Sequence, residues 1–386
     1  MDIKRSISKK INKLLGTEMV SRPGPQIFNL YNTKYDKTVL ISYILSPFRV
    51  ENQFYHQNYI TSHIVAECFS EMGYNVDVVD YFEKNIDVVY EQYDVIFGFG
   101  YNFERSFYSP DRSIPRIFFI TGAHLDFHNM GSLRSIKDFY ALSGLWLPKE
   151  ANVLDDNHYY SSFNSDLSII LADGYIYEDC KSRSGNEVYS LNNNILGTFS
   201  EFEPKTNINR TQGFLFLSGG KLITKGIHIL LEVARLRKDL DFYIVVQAIN
   251  GVLEDYYEDV LKGQTNVFLY QNIRMDSAEM KHIIESCSYS IAPSYVDGLP
   301  GGTIEPMSAG LIPIVSQYCG FPRKEFIFEM ERLDAKTLNE KIEEVLQLSD
   351  SDYLIYSNAV KSYILENFSK NSVKKQLKNI LKCRVK

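Results

Sequence analysis

Asp297 and Glu305 stand with seven residues between them in APSYVDGLPGGTIEPMSAGLIPIVS (292–316). The segment reads as a strand, a Gly-rich loop, a short helix and a second strand. Gly301 and Gly302 would let backbone approach a ligand closely. Thr303 is a plausible N-cap for a helix over Ile304 to Ala309, which Gly310 would end. A helix N-terminus after two glycines offers unpaired N–H groups and a partial positive charge, which suits a phosphate. Glu305, placed in that first turn, should be ionised and accept two hydroxyl hydrogen bonds, as a ribose requires. Asp297, in the loop before it, could reach a second hydroxylated group. Upstream, SGGKLITKG (218–226) sets Gly220, Lys221 and Lys225 at a strand–helix junction, where two cations can bridge the oxygens of a diphosphate. It is not a P-loop, because the required glycine spacing and the Lys-Ser/Thr pair are missing. Each motif also has an ordinary reading, as a tight turn, a dipole-complementing Glu or a solvated Lys. Both falling in one α/β unit makes a phosphate and ribose site the stronger reading.

The elements that must carry these residues are legible as apolar runs separated by helical stretches, the pattern of parallel sheets covered on both faces. KTVLISYIL (37–45), NVDVVDY (75–81), DVIFGFG (94–100), RIFFITG (116–122) and LSIILAD (167–173) read as strands of a first doubly wound unit. A helix from Asn58 to Gly73 follows the first of them. GFLFLSGG (213–220), DFYIVVQ (241–247), NVFLYQN (266–272), YSIAPS (289–294) and IPIVS (312–316) form a second series. Three helical patches close the chain. The polar, turn-rich stretch EFEPKTNINRTQ (201–212) separates the two. This gives an expected N-terminal acceptor-side domain over 1–203, a donor-binding domain over 204–368, and a closing helix over 369–386. A cleft between two α/β units, at the carboxyl ends of their strands, is where ligands bind in such folds.

On these residues the second half resembles the donor-binding domain of glycosyltransferase family 4, the retaining GT-B enzymes. Asp297 and Glu305 match the family's E-x7-E signature, with Asp in place of the first Glu. Gly220, Lys221, Lys225 and Gly226 match its Gly-basic…Lys-Gly pattern, with Lys221 where Arg is commoner and one residue fewer between. The resemblance implies a GT-B fold, two Rossmann-like domains facing a cleft. It also implies transfer of a sugar from a UDP- or GDP-type donor to a glycan or lipid-linked acceptor with retention. Lys221 and Lys225 would hold the diphosphate with the amides of Gly301, Gly302 and Thr303. Glu305 would bind the ribose, and Asp297 would sit by the transferred sugar. His124, in FITGAHLDF (119–127), matches a family histidine that faces that sugar. The Gly-Gly loop that commonly follows the first strand is absent, with Arg49 and His56 as candidate substitutes. Neither a cofactor nor a metal is implied. A GT-B epimerase or phosphorylase, or a non-catalytic partner subunit, are the rival readings.

Composition sets outer limits. Apolar residues make up 45% and charged residues 23% of the 386, an ordinary globular balance that leaves no room for a disordered class. A net charge of −7 disfavours a nucleic-acid partner. Cys68, Cys180, Cys287, Cys319 and Cys383 are scattered without a C-x-x-C pair, which points to a reducing compartment, hence the cytoplasm. Both ends are basic. Ile3, Ile7, Ile11, Leu14 and Leu15 form an apolar stripe on the N-terminal one, so an anionic membrane surface is a candidate partner. The acidic pairs Asp77/Asp80, Asp155/Asp156 and Asp350/Asp352 read as surface charges.

Overall fold

A computed structural model describes residues 24–50, 56–203 and 210–382. The first sheet is built from β1 (Gln26–Ile27), β2 (Lys37–Tyr43), β3 (Tyr74–Asp80), β4 (Val95–Gly98), β5 (Arg116–Ile120), β6 (Leu167–Ile170) and β7 (Glu187–Ser190). Their order is β1-β3-β2-β4-β5-β6-β7, parallel except for β1. The second comprises β8 (Gly213–Ser218), β9 (Asp241–Val246), β10 (Val267–Gln271), β11 (Tyr289–Ala292), β12 (Ile312–Ser316) and β13 (Phe328–Met330). Its order, β10-β9-β8-β11-β12-β13, is parallel throughout. β2–β6, β8, β9, β11 and β12 are near-continuous buried runs, as strands covered on both faces must be, whereas the edge strand β10 is only partly covered. In each sheet the order reverses at the first long strand, and the two crevices so formed face each other.

Helix Gln57–Glu71 follows β2 and ends at Met72, with Gly73 in the left-handed region at φ +89°. Two other helices cross between the domains. Helix Leu125–Ser143 leaves β5, yet its Ile136 and Phe139 lie in the core around β8, β9 and β11. Helix Lys370–Lys382 returns the favour: Val373, Leu377, Ile380 and Leu381 complete the core around β2–β6. Three of its five lysines are paired. Lys370, Lys374 and Lys378 pair with Glu67 and Glu71 on helix Gln57–Glu71, at 2.6–3.2 Å. The N-terminal apolar stripe lies outside the described residues, and no helix among those described is long and apolar enough to cross a membrane.

One surface assignment is corrected. Asp77 is buried, its carboxylate accepting from the Asn29 amide at 2.7 Å and the Tyr93 hydroxyl at 3.0 Å, so it ties the segment after β1 to the sheet.

Candidate active site

A cleft of about 600 Å³ runs between the domains. One wall is the carboxyl ends of β8, β9 and β11 with the start of helix Gly301–Ser308, the other His56, Gln57, Asn58, Thr121 and Leu171.

Helix Gly301–Ser308 starts two residues before Thr303. Pro300 is its N-cap, and Thr303 is a buried third residue whose amide donates to the Pro300 carbonyl at 2.9 Å. The amides of Gly301 and Gly302 are therefore the first of the helix, which lack intrahelical acceptors and favour an anion. The two glycines serve packing as well as ligand approach. A Cβ on Gly302 would stand 1.9 Å from the Leu217 carbonyl oxygen, and one on Gly301 2.4 Å from the Gln57 side chain. Gly219 and Gly220, by contrast, have open space where a Cβ would lie, and both line the cleft.

Lys225 and Asp297 meet at the centre. Residues 221–226 form a tight turn, closed by Lys225 N–H to Lys221 O at 3.1 Å and Gly226 N–H to Ile223 O at 3.0 Å. Gly226 adopts φ +78° and packs where a Cβ would touch the Pro293 carbonyl, so only glycine fits. Tyr295 N–H donates to Thr224 O at 2.9 Å, strapping this turn to the loop that carries Asp297, and Asp297 N–H donates to Tyr318 O at 2.8 Å, anchoring that loop to the segment after β12. The result is a Lys225 Nζ–Asp297 Oδ2 ion pair at 2.5 Å, with the side chains 29% and 15% exposed. Lys221 is turned elsewhere: its φ is +57° and its Nζ donates to the Lys149 carbonyl at 2.5 Å, outside the cleft lining.

Glu305 sits in the second turn of its helix rather than the first, and it is fully buried. Its Oε1 accepts from Gln57 Nε2 at 2.9 Å and from the Leu196 amide at 2.5 Å, while Oε2 has no partner among the described residues. Burial pushes its carboxyl up to about 7, against the lowering effect of those two donors. The ionised first-turn carboxylate expected from sequence is thus replaced by a group that titrates near neutrality, at a three-way junction of both domains and the connecting segment. A carboxyl raised on folding binds more protons in the native state, so its contribution to stability falls as pH rises from about 4.5 to 7. Glu305→Gln should therefore gain stability relative to the native chain over that window, by up to about 3 kcal/mol at pH 8. Urea unfolding at pH 5 and pH 8 measures the difference.

His124, which lies outside the lining of the main cleft, caps helix Leu125–Ser143. Its Nδ1 accepts from the Asp126 amide at 3.3 Å, and its buried Nε2 has no partner among the described residues. Burial lowers its pKa, opposed by Asp126, so the ring is neutral with the proton on Nε2. It faces a second chamber of about 220 Å³ that shares Thr121, Lys225 and Asp297 with the main cleft. His56 lies at the cleft rim as N-cap of helix Gln57–Glu71, whereas Arg49 donates to the Gly24 carbonyl. Among the described residues no three His, Cys, Asp or Glu side chains are grouped to hold a metal ion.

Residues 198–362 match the family model described as glycosyl transferases group 1. The architecture is GT-B. TarM superposes with a TM-score of 0.52 at 15% identity, over 74% of this chain and 54% of that one. A variant of S. aureus TarM, solved with fondaparinux, α-GlcNAc-glycerol and UDP, gives 0.50 at 14% identity, over 74% and 55%. Sucrose-phosphate synthase from Thermosynechococcus elongatus gives 0.61 at 11%, over 90% and 98%. The chain spans about half the length of the TarM chains it matches. No curated protein sequence matches it.

Sequence reasoning missed Gln57, whose amide stands between Glu305 and the cleft, and two further chamber histidines, His128 and His158. The only signals were spacings: His128 one helical turn after His124, and His158 three residues after Asp155.

Proposed function

We propose that the protein is a retaining glycosyltransferase that moves a hexosyl group from a UDP- or GDP-type sugar to a glycan or lipid-linked acceptor in the cytoplasm. The observation that carries this is Lys225, held against Asp297 beside the open Gly219–Gly220 turn and the first amides of helix Gly301–Ser308. One cation and a helix N-terminus converge on a space without protein atoms, as a diphosphate requires. Lys225 and the amides of Gly301 and Gly302 would hold it and stabilise the charge that builds as it leaves. Lys221, beside Gly220, would join them once its side chain leaves Lys149. Glu305 would bind the ribose by exchanging Gln57 for ribose hydroxyls. Asp297 and the Nε2–H of His124 would meet hydroxyls of the transferred sugar.

In the step itself the bond from the anomeric carbon to the diphosphate oxygen breaks. The acceptor oxygen bonds to that carbon from the same face, and its proton passes to the leaving diphosphate. No group of this chain need act as a nucleophile, and the cationic work falls to Lys225 and backbone amides, so turnover should need no divalent ion. The test is release of nucleoside diphosphate from a panel of UDP- and GDP-sugars, with and without chelator. Release that persists undiminished in chelator is the expected result. Loss on chelation, restored by Mg²⁺ or Mn²⁺, or no release from any donor, goes against the reading.

A further inference from the structure

The first domain brings the start of helix Gln57–Glu71 to the cleft. Gln57 is the first residue of that helix, as Gly301 is of the helix opposite, and a Cβ on Gly301 would stand 2.4 Å from the Gln57 side chain. Two helix N-termini therefore meet across the cleft, with Lys225 in the same lining. Their partial positive charges oppose one another unless an anion lies between them. Among the described residues the protein does not supply one. Both carboxylates of the lining are taken, Asp276 by Arg274 at 2.7 Å and Asp297 by Lys225 at 2.5 Å, and Glu305 lies behind Gln57.

His56 stands at this junction. Its Nδ1 accepts from the Asn58 amide at 3.1 Å, so the ring proton is on Nε2. The two ring nitrogens point nearly opposite ways, which turns Nε2–H away from the helix that His56 caps. No described residue accepts from it. Lys225 and Asp297 are the charged groups that act on the ring. Enclosure in the cleft and the Lys225 ammonium lower its pKa, against the opposing pull of Asp297, so the imidazole is neutral at pH 7.

We propose that His56 is a ligand of the donor diphosphate, donating from Nε2 to a phosphoryl oxygen. The proposal rests on the transferase reading above. Lys225 and the amides of Gly301 and Gly302 come from the second domain, so a donor from the first makes the anion a bridge between the two. The hydrogen bond strengthens as charge collects on the leaving diphosphate, which is when it assists the reaction.

Capping alone is the competing role, and two substitutions separate it from phosphate binding. His56→Asn keeps an acceptor for the Asn58 amide, since Asn is among the best N-caps, but it is too short to reach the place of Nε2. His56→Gln extends an amide N–H about as far as Nε2 and lies outside the preferred caps. Calorimetry titrates the full chain with whichever of UDP and GDP binds, and with the matching nucleoside. His56→Asn should weaken the nucleoside diphosphate about tenfold or more, one charge-assisted hydrogen bond, and leave the nucleoside within about twofold. His56→Gln should recover part of the loss. In the native chain the diphosphate, and not the nucleoside, should raise the His56 ring pKa, read from the imidazole proton resonance that both variants lack, because an anion favours the imidazolium. Diphosphate affinity unchanged in His56→Asn, an equal loss for the nucleoside, or a His56 resonance that titrates alike with and without diphosphate would overturn the assignment. If neither UDP nor GDP binds the native chain, it is the transferase reading that fails.

Discussion

Lys225→Ala should lower kcat for donor turnover by about 10²–10³-fold, the usual effect of deleting one preorganised donor that stabilises charge in a transition state. The loss should fall on phosphate, not on base or ribose. Nucleoside affinity is thus expected to stay close to wild type while nucleoside diphosphate affinity falls. The substitution also strands Asp297, whose carboxylate is only 15% exposed, without its counter-charge. Steady-state diphosphate release, paired with calorimetric titration of nucleoside and nucleoside diphosphate, separates the two effects. If Lys225→Ala weakens nucleoside and nucleoside diphosphate equally, Lys225 is not a phosphate ligand.

A second large effect is expected far from the cleft. Leu377 is fully buried in the core around β2–β6, although it belongs to helix Lys370–Lys382, long after that domain's strands in the chain. Truncating a buried leucine to alanine typically costs about 2–5 kcal/mol, the range set by how far the cavity collapses. Leu377→Ala should therefore lower the urea midpoint markedly. Lys375→Ala, on the exposed face of the same helix, should change it by no more than about 0.5 kcal/mol. Equal effects of the two would mean that the helix does not close the first core.

Ten strands could be read directly because each carries a run of apolar residues, largely buried in all but β10, and such runs depend little on context. β1, β7 and β13 could not: they are short edge strands of two to four residues whose pairing is decided by the neighbour they meet. The Gly-rich segment 292–316 reads from sequence as a ligand-binding turn, and the structure places its Asp297, with Lys225, in the lining of the cleft. What a linear reading misplaces is the start of its helix. With Pro300 as N-cap, Glu305 moves one turn inward and Gly302 becomes a packing contact with β8. Lys221 and Lys225 look equivalent in sequence, yet a left-handed φ at Lys221 sends their side chains to different partners. Asp77 read as a surface charge because its partners, Asn29 and Tyr93, come from separate elements. His128 and His158 escaped for a similar reason. They reach one chamber only after the helix that follows β5 and the 151–158 segment pack together, as in the contact between His128 and the Asn152 carbonyl.

The exchange of helices between the domains has a consequence for how the chain is made. Domains generally fold in order as they emerge during synthesis. Here the strands β2–β6 are complete by Ile170, but four residues of their core, from Val373 to Leu381, arrive some two hundred positions later. The nascent first domain must wait with that groove uncovered, its Glu67 and Glu71 unpaired, while the entire second domain is translated. The second domain is under no such delay, since Ile136 and Phe139, its borrowed core residues, precede it. Its assembly can therefore be finished first, reversing the order of synthesis, with the final helix acting as the clasp that commits both halves to one cooperative native state.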